Sequence, residues 1–342
     1  MQINKFCQLR LAEIDDFKSP ALVQDAAFYF GLEEYLLQKK AADISYFFLW
    51  RCRPTVMLGK YQQAFKEVNL DYCRQKGVDL LRRKSGGGAI YTDPACWQFS
   101  YISPISGVEL DFKTFTDAIL EALLALGLKV EYNGRNDLIC CGKKFSGNAQ
   151  YKESGLTVHH GTLLVATELE ELSNCLRVQD YKLKSKGIDS VRERVMNLSE
   201  QGEVSPEALI QGVRESFQER GYSWSEQSLT AADIAAANHF ADLLFRNEER
   251  VWSENPEFTR TLNFRFSGGE VILELLVKRG EIQDLSFTGD FFHLQDLAPL
   301  KAKLIGCKYE RQDFYDRLCE IELERYIAGL KAKELAALLP EI

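Results

Sequence analysis

The sequence predicts an α/β chain in two parts, a larger mixed α/β unit followed by a small α+β unit. Three observations predict it. Short apolar runs alternate with longer segments that stop at a glycine, so strands and helices are interleaved along the first two thirds. Residues 128–165 are apolar runs broken by Gly and polar pairs, which reads as sheet. Beyond a charged stretch at 246–256, closed by Asn255-Pro256, a self-contained strand-then-helix pattern begins again.

The elements follow in order. Ser19-Pro20 and the apolar and acidic run to Leu37 read as a first helix. Residues 44–50 and 55–59 read as strands, and 64–76 as one helix with Gly77 just past its C-terminus. Val78 to Leu81 and Ala89 to Tyr91 read as strands on either side of Gly86-Gly87-Gly88. Residues 112–126, stopped by Gly127, read as a helix. Ser205-Pro206 opens another that ends at Gly221, and Thr230 with Asp233 forms a capping box for the next. In the C-terminal part Leu262, Phe264 and Phe266 alternate, Gly268-Gly269 turns, and Val271, Leu273, Leu275 and Val277 alternate again, with two or three helices after them. The expected division is 1–247 and 248–342.

Composition narrows the function. At 342 residues the chain is long enough for two domains. Its 42 basic side chains are outnumbered by 50 acidic ones, a net charge of −8, which disfavours a nucleic-acid partner. Nine cysteines with no CxxC spacing support neither a zinc site nor a disulfide framework, and free thiols suit a reducing cytoplasm. The first seven residues lack an apolar signal core, and no run of about 18 apolar residues predicts a membrane span.

Residues 82–93 carry the most chemistry: Arg-Arg-Lys-Ser-Gly-Gly-Gly-Ala-Ile-Tyr-Thr-Asp. Three glycines in a row contribute no packing, yet they let bare N–H groups approach an anion, and three cations stand beside them. Alone, the pattern equally describes a loose hairpin turn. Two further segments follow. Residues 134–150 read Gly-Arg-Asn-Asp-Leu-Ile-Cys-Cys-Gly-Lys-Lys-Phe-Ser-Gly-Asn-Ala-Gln, and 158–164 read Val-His-His-Gly-Thr-Leu-Leu. Taken alone, Lys144 would be a surface lysine, Asn136-Asp137 a turn, and the basic run 182–194 a solvated face.

These segments, in this order, resemble the lipoate–protein ligase family. Leu32-Glu33-Glu34-Tyr35-Leu36, Leu58-Gly59-Lys60-Tyr61-Gln62, Glu67-Val68-Asn69, residues 186–192 and Val195-Met196-Asn197-Leu198 extend the likeness over nearly the whole chain. The resemblance implies a biotin-ligase-like catalytic domain with a mixed sheet and an accessory C-terminal domain. It implies that ATP and lipoic acid react to lipoyl-AMP and pyrophosphate, with Mg2+, before the lipoyl group passes to a lysine. The acceptors implied are the lipoyl domains of 2-oxoacid dehydrogenase complexes and the glycine-cleavage H protein. Lys144 would contact both the carboxylate and the α-phosphate. Nucleotide contacts would come from Arg83, Gly88, Ala89, Ile90, Tyr91, Asn136 and Asp137, the last also holding Mg2+. Lipoate would meet Gly86, Gly87, Gly88, Gly147, His160 and Gly161. Arg82 equally fits the role of a structural ion-pair partner. His159 and His160 point to opposite faces of a strand, so one of them at most enters the site. Residues 182–194 would close as a lid over the adenylate.

The pattern departs from the family at Tyr29-Phe30-Gly31, at Thr92 and at Pro94-Ala95-Cys96, all expected near the acyl pocket. The alternative from another class is an ATP-independent octanoyl or lipoyl transferase working through a thioester at Cys140 or Cys141, although adjacent cysteines on an apolar strand also read as packing. A sequestering paralogue without activity is disfavoured by the intact lysine and glycine segments.

Overall fold

The computed structural model describes residues 5–10, 24–39, 44–62, 64–104, 111–133, 136–177, 194–246, 251, 260–278 and 280–339. Eight strands build the central sheet. Across it they run Ser223–Ser228 (β11), Lys5–Arg10 (β1), Ser45–Trp50 (β2), Cys96–Pro104 (β6), Leu156–Leu164 (β10), Lys143–Glu153 (β9), Asp137–Cys140 (β8) and Val130–Tyr132 (β7). The sheet is mixed: β1 lies parallel to β11 and β2, and every pairing from β2 to β7 is antiparallel.

Both faces of the sheet are covered, and β2 shows why its sequence is Ser-Tyr-Phe-Phe-Leu-Trp with every residue buried. Tyr46, Phe48 and Trp50 pack beneath the helices Ala26–Lys39 (α1) and Ala231–Leu244 (α7). Phe47 and Leu49 pack on the other side against Phe112–Ala125 (α4) and Pro206–Glu219 (α6). α1 and α7 cross tightly at Gly31, where a Cβ would lie 2.2 Å from the Ala237 carbonyl oxygen. That contact explains the glycine in Tyr29-Phe30-Gly31.

A second sheet of three strands holds the glycine segment. Its order is Asp79–Arg82 (β4), Thr55–Leu58 (β3), Ile90–Thr92 (β5), with β3 parallel to β4 and antiparallel to β5. The short helices Ala64–Glu67 (α2), Leu70–Lys76 (α3) and Leu169–Cys175 (α5) lie beside it around a small core. The C-terminal unit is an antiparallel sheet, Arg260–Phe266 (β12), Gly269–Lys278 (β13) and Glu281–Phe291 (β14), packed on Ala298–Leu304 (α8), Arg311–Ile321 (α9) and Ala332–Ala336 (α10). No helix among the described residues is long and apolar enough to cross a membrane.

The expected elements fall in place with two corrections. The segment 64–76 is two helices rather than one, because Asn69 leaves helical geometry and accepts the Tyr72 N–H as a new N-cap. The first helix starts at Ala26: Gln24 bridges to Cys52, and the Asp25 side chain accepts the Phe28 N–H at 2.8 Å. Ser19-Pro20 lies outside the described residues. The glycine ends at Gly77 and Gly127 and the Thr230–Asp233 capping box are as expected.

The C-terminal unit docks through the end of β14. The Gly87 N–H donates to the Phe291 oxygen at 2.9 Å, the Gly289 N–H donates to the Tyr61 oxygen at 3.1 Å, and the Tyr61 ring stacks on Phe291 at 5.0 Å. His293 sits edge-on to Tyr61 in the same seam. Burial, with the nearby Lys60 ammonium, pushes the imidazole from 6.5 down to about 3. The unfolded chain therefore takes up a proton between those two values where the folded chain does not, so this group removes stability as pH falls through that window. In urea titrations from pH 7 to pH 4, about the span over which the imidazole would be protonated only after unfolding, His293→Phe should lose less stability than the parent. Equal slopes in the two proteins would dismiss His293 as a contributor.

Candidate active site

The sheet order dictates the path of the glycine segment. β4 and β5 flank β3, so the chain leaving β4 must cross the C-terminal end of β3 to enter β5. Residues 85–88 make that crossing over Gly59, where a Cβ would lie 2.0 Å from the Gly87 oxygen. Gly87 itself has φ +89, in the region that side chains resist.

Arg83 fixes the loop from beneath. Its Nε donates to Ser85 Oγ at 3.0 Å, one Nη to Met57 O at 2.9 Å, and the other to both Gly86 O and Gly88 O at 2.8 Å. Burial pushes the guanidinium down to about 10, still a cation at neutral pH, with the Asp290 carboxylate opposing the shift. Arg82 instead donates to the carbonyls of Gly59, Gln62 and Val251, tying the base of the loop to the segment after β3. Arg83 is thus first a scaffold residue, with its N–H groups directed at the loop and at β3, although it also borders the pocket.

From Ser85 a buried chain of hydrogen bonds runs back across the large sheet. Ser85 Oγ meets His160 Nε2 at 2.7 Å, His160 Nδ1 meets Glu33 Oε1 at 3.2 Å, and that same Glu33 oxygen accepts Ser100 Oγ at 2.7 Å. Ser100 Oγ in turn accepts the Trp50 indole N–H at 3.0 Å. Glu33 on α1, His160 on β10 and the glycine loop are therefore one connected unit. His159 faces the opposite side among Phe99, Phe112 and Phe115. Gln150 Nε2 approaches its Nδ1 at 2.8 Å, so Nδ1 accepts and Nε2 donates to Asn148 Oδ1 at 3.1 Å. Burial holds its pKa well below the ordinary value. One histidine is structural and the other faces the site, as their alternation on a strand requires.

Lys144 lies near the start of β9. Its Nζ is 2.7 Å from Asp137 Oδ1 on neighbouring β8. Residues 194–196 run alongside: the Lys144 N–H donates to Arg194 O at 2.7 Å and its carbonyl accepts the Met196 N–H at 3.0 Å. Gly147 leaves room for the ammonium, since a Cβ there would lie 2.9 Å from Nζ. Asn136 and Asn148 clasp each other through reciprocal amide–carbonyl bonds of 2.9 Å.

These parts enclose a cavity of about 360 Å³, within the usual size of a small-molecule site. Phe30, Trp50, Met57 and Ile90 give it an apolar region, and Glu67, Asp137, Lys144, Arg177, Arg194 and Asp290 bring charge. Of the residues expected from sequence, Arg83, Gly87, Gly88, Ala89, Ile90, Asn136, Asp137, Lys144, Gly147, His160 and Gly161 line it together. Two lie off the wall. Gly86 sits under Phe291, with a Cβ position 2.2 Å from that carbonyl oxygen, and the Tyr91 side chain enters the small core with Val56 and Leu58. Gly134, Arg135 and residues 178–193, including most of the expected lid, lie outside the described residues; Arg194 stands at the pocket. Sequence reasoning missed Asp290 and Phe292, which the C-terminal unit inserts into the wall, and no local pattern marks either. It also passed over Trp50 and Gln98 as wall residues, whereas Phe30, expected near the acyl pocket, does line it. From sequence, residues 44–50 read as a strand and 96–104 as no element, so neither reading says which side chains face a cavity.

The thiols are placed away from this chemistry. Cys140 is buried and its thiol is pushed up to about 11, by burial first and by neighbouring Cys141. Neither cysteine lines the cavity.

The model of the lipoyl protein ligase A/B catalytic domain matches residues 25–218, and that of the bacterial lipoate protein ligase C-terminus matches residues 255–339. The chain is 31% identical to lipoate-protein ligase LplJ of Bacillus subtilis over 93% of its own length and 97% of the relative's. It is 33% identical to lipoate–protein ligase 1 of Staphylococcus aureus with the same two coverages, 93% and 97%. A crystal structure of lipoate-protein ligase A bound with ATP aligns with a TM-score of 0.59 and 26% identity, covering 67% of this chain and 95% of that one.

Ser85 is the joint between the buried arginine and the buried histidine. Ser85→Ala would leave Arg83 Nε and His160 Nε2 without that oxygen, an expected loss of about 1–3 kcal/mol. Urea denaturation measures it, and an unchanged midpoint would show that the loop does not depend on this link.

Proposed function

The chain belongs to the lipoate–protein ligase family, and from that premise we propose that it activates lipoate with ATP and passes the lipoyl group to a lysine of an acceptor protein. The observation that carries the reading is the position of Lys144. Its ammonium lies beside Asp137 in a cavity that also holds the glycine loop, Arg194 and an apolar wall of Phe30, Trp50 and Ile90. An apolar acid ending in a carboxylate and a nucleotide ending in phosphates would meet at that lysine.

In the first step a carboxylate oxygen of lipoate bonds to the α-phosphorus of ATP. The bond to the bridging oxygen breaks, and pyrophosphate leaves with its electron pair. Two anions must come together, so the step needs fixed cations and N–H donors where charge builds. Lys144 supplies the cation between them, and the backbone of Gly87, Gly88, Ala89 and Ile90, held open by Arg83, supplies the loop. Gly86 and Tyr91 support it from behind, and Asn136 shapes the nucleotide side. Gly147, His160 and Gly161 border the acyl chain. In the second step the acceptor lysine's amine attacks the acyl carbon, the bond to the phosphate oxygen breaks, and AMP leaves.

Mg2+ fits this donor set. Among the described residues no group of three metal-ligating side chains gathers, but Mg2+ is commonly held by one or two carboxylates together with substrate phosphates. Asp137 would be that carboxylate, and the ion would offset phosphate charge. We place the division between catalytic and accessory parts at 247/248. The family's acceptors, lipoyl domains of 2-oxoacid dehydrogenases and the glycine-cleavage H protein, are the partners proposed, in a cytoplasm that keeps the described cysteines as free thiols. The basic segment 182–194 would close over the adenylate, its end already paired to the Lys144 backbone at Arg194.

Lys144→Ala should leave the fold intact and slow lipoate-dependent ATP–pyrophosphate exchange by about 10²-fold or more, the usual loss for one preorganised donor. Near-normal exchange would remove Lys144 from the chemistry. The double variant Cys140→Ser, Cys141→Ser should retain exchange. If it folds yet loses acyl transfer, and the parent traps a thioester, the cysteine transferase is correct instead.

A further inference from the structure

A row of side chains crosses the floor of the cavity from Lys144 to its apolar end. Thr162 Oγ1 accepts the Gly147 N–H at 3.2 Å, next to the Lys144 ammonium. On β6, Gln98 is paired opposite Thr162 on one side and opposite Trp50 of β2 on the other. Strands are about 4.8 Å apart, so Gln98 lies about 10 Å along this row from Gly147. An acyl chain whose carboxylate is at Lys144 and which runs toward Trp50 brings its far end to Gln98.

Gln98 is unlike its apolar neighbours there. It is buried, 2% exposed, and borders the cavity between Trp50 and Thr162. Its amide is held from below. Nε2 donates to Thr92 Oγ1 and, at 2.8 Å, to Cys96 O, while Cys52 Sγ lies 3.9 Å from Oε1. Thr92 and Cys96 are two of the positions where the sequence departs from the family pattern, and in the structure both hold this amide in place. A desolvated amide against a saturated chain is unfavourable; both its N–H groups are already donated to Thr92 and Cys96, so what a sulfur-containing ring gains over an alkyl end is the dispersion attraction of polarizable sulfur rather than a hydrogen bond.

We propose that Gln98, held by Thr92 and Cys96, is a specificity-determining residue that favours an acyl chain ending in a sulfur-containing ring over a straight alkyl chain of similar length. The inference rests on the proposed lipoate activation. It concerns the selection between acids and leaves the reacting atoms to Lys144.

The test is kcat/KM for ATP–pyrophosphate exchange with lipoate and with octanoate, in the parent, Gln98→Leu and Thr92→Val. The parent should prefer lipoate. Gln98→Leu should move the ratio toward octanoate by about tenfold, the scale of one group in a substrate pocket, mostly through KM. Thr92→Val keeps the Gln98 side chain but removes one of its holders, and should move the ratio the same way by a smaller factor. If Gln98→Leu does not fold, Thr92→Val decides. An unchanged ratio in the folded variants, with lipoate-dependent exchange intact in the parent, overturns the role of Gln98 alone. A parent without lipoate-dependent exchange overturns the proposed function and this inference with it.

Discussion

The guanidinium of Arg83 sits sealed beneath the glycine loop, its N–H groups directed at Met57 O, Gly86 O, Gly88 O and Ser85 Oγ. Three successive glycines have no side chains with which to fix a conformation and lose more entropy on ordering than other residues. A buried cation is equally unfavourable unless its N–H groups are satisfied. Each problem answers the other: the loop's carbonyls solvate the arginine, and the arginine gives the loop one shape. Gly87 uses its own N–H to receive the C-terminal unit at Phe291 O.

Much of the surrounding fold follows from keeping that arrangement in place. The crossing over β3 permits only glycine at 59, and the seat of Phe291 permits only glycine at 86. Ser85 ties the loop to His160, and His160 ties it to Glu33, so α1 is connected to the loop through a buried acid. α1 in turn is pressed on α7 at Gly31. The cavity is therefore walled by elements distant in sequence: α1, β2, β6, β9, β10, the glycine loop, and the end of β14.

What was legible in the sequence was what a local pattern encodes. Helix ends at Gly77 and Gly127, the Thr230–Asp233 box and the alternation in β12 and β13 follow from short-range physics and appear as read. The cut at Asn69 was also local, but the mixed apolar and charged residues on both sides of it read as one continuous helix. Lys144, Asp137, the glycines and His160 were found because their motifs carry them as a set. Asp290 and Phe292 were not, since only the docking of the C-terminal unit brings them to the cavity. The meaning of Thr92 was hidden for the same reason: its hydroxyl serves Gln98, six residues on and on a different sheet.

ATP-driven activation at Lys144 followed by transfer is the central claim. The most direct measurement is the intact mass of a lipoyl acceptor domain incubated with the protein, lipoate and Mg2+, with and without ATP. The expected result is the added mass of one lipoyl amide only when ATP is present, with AMP and pyrophosphate released in equal amounts. Acylation of the domain from an acylated carrier protein, in the absence of ATP, would contradict it.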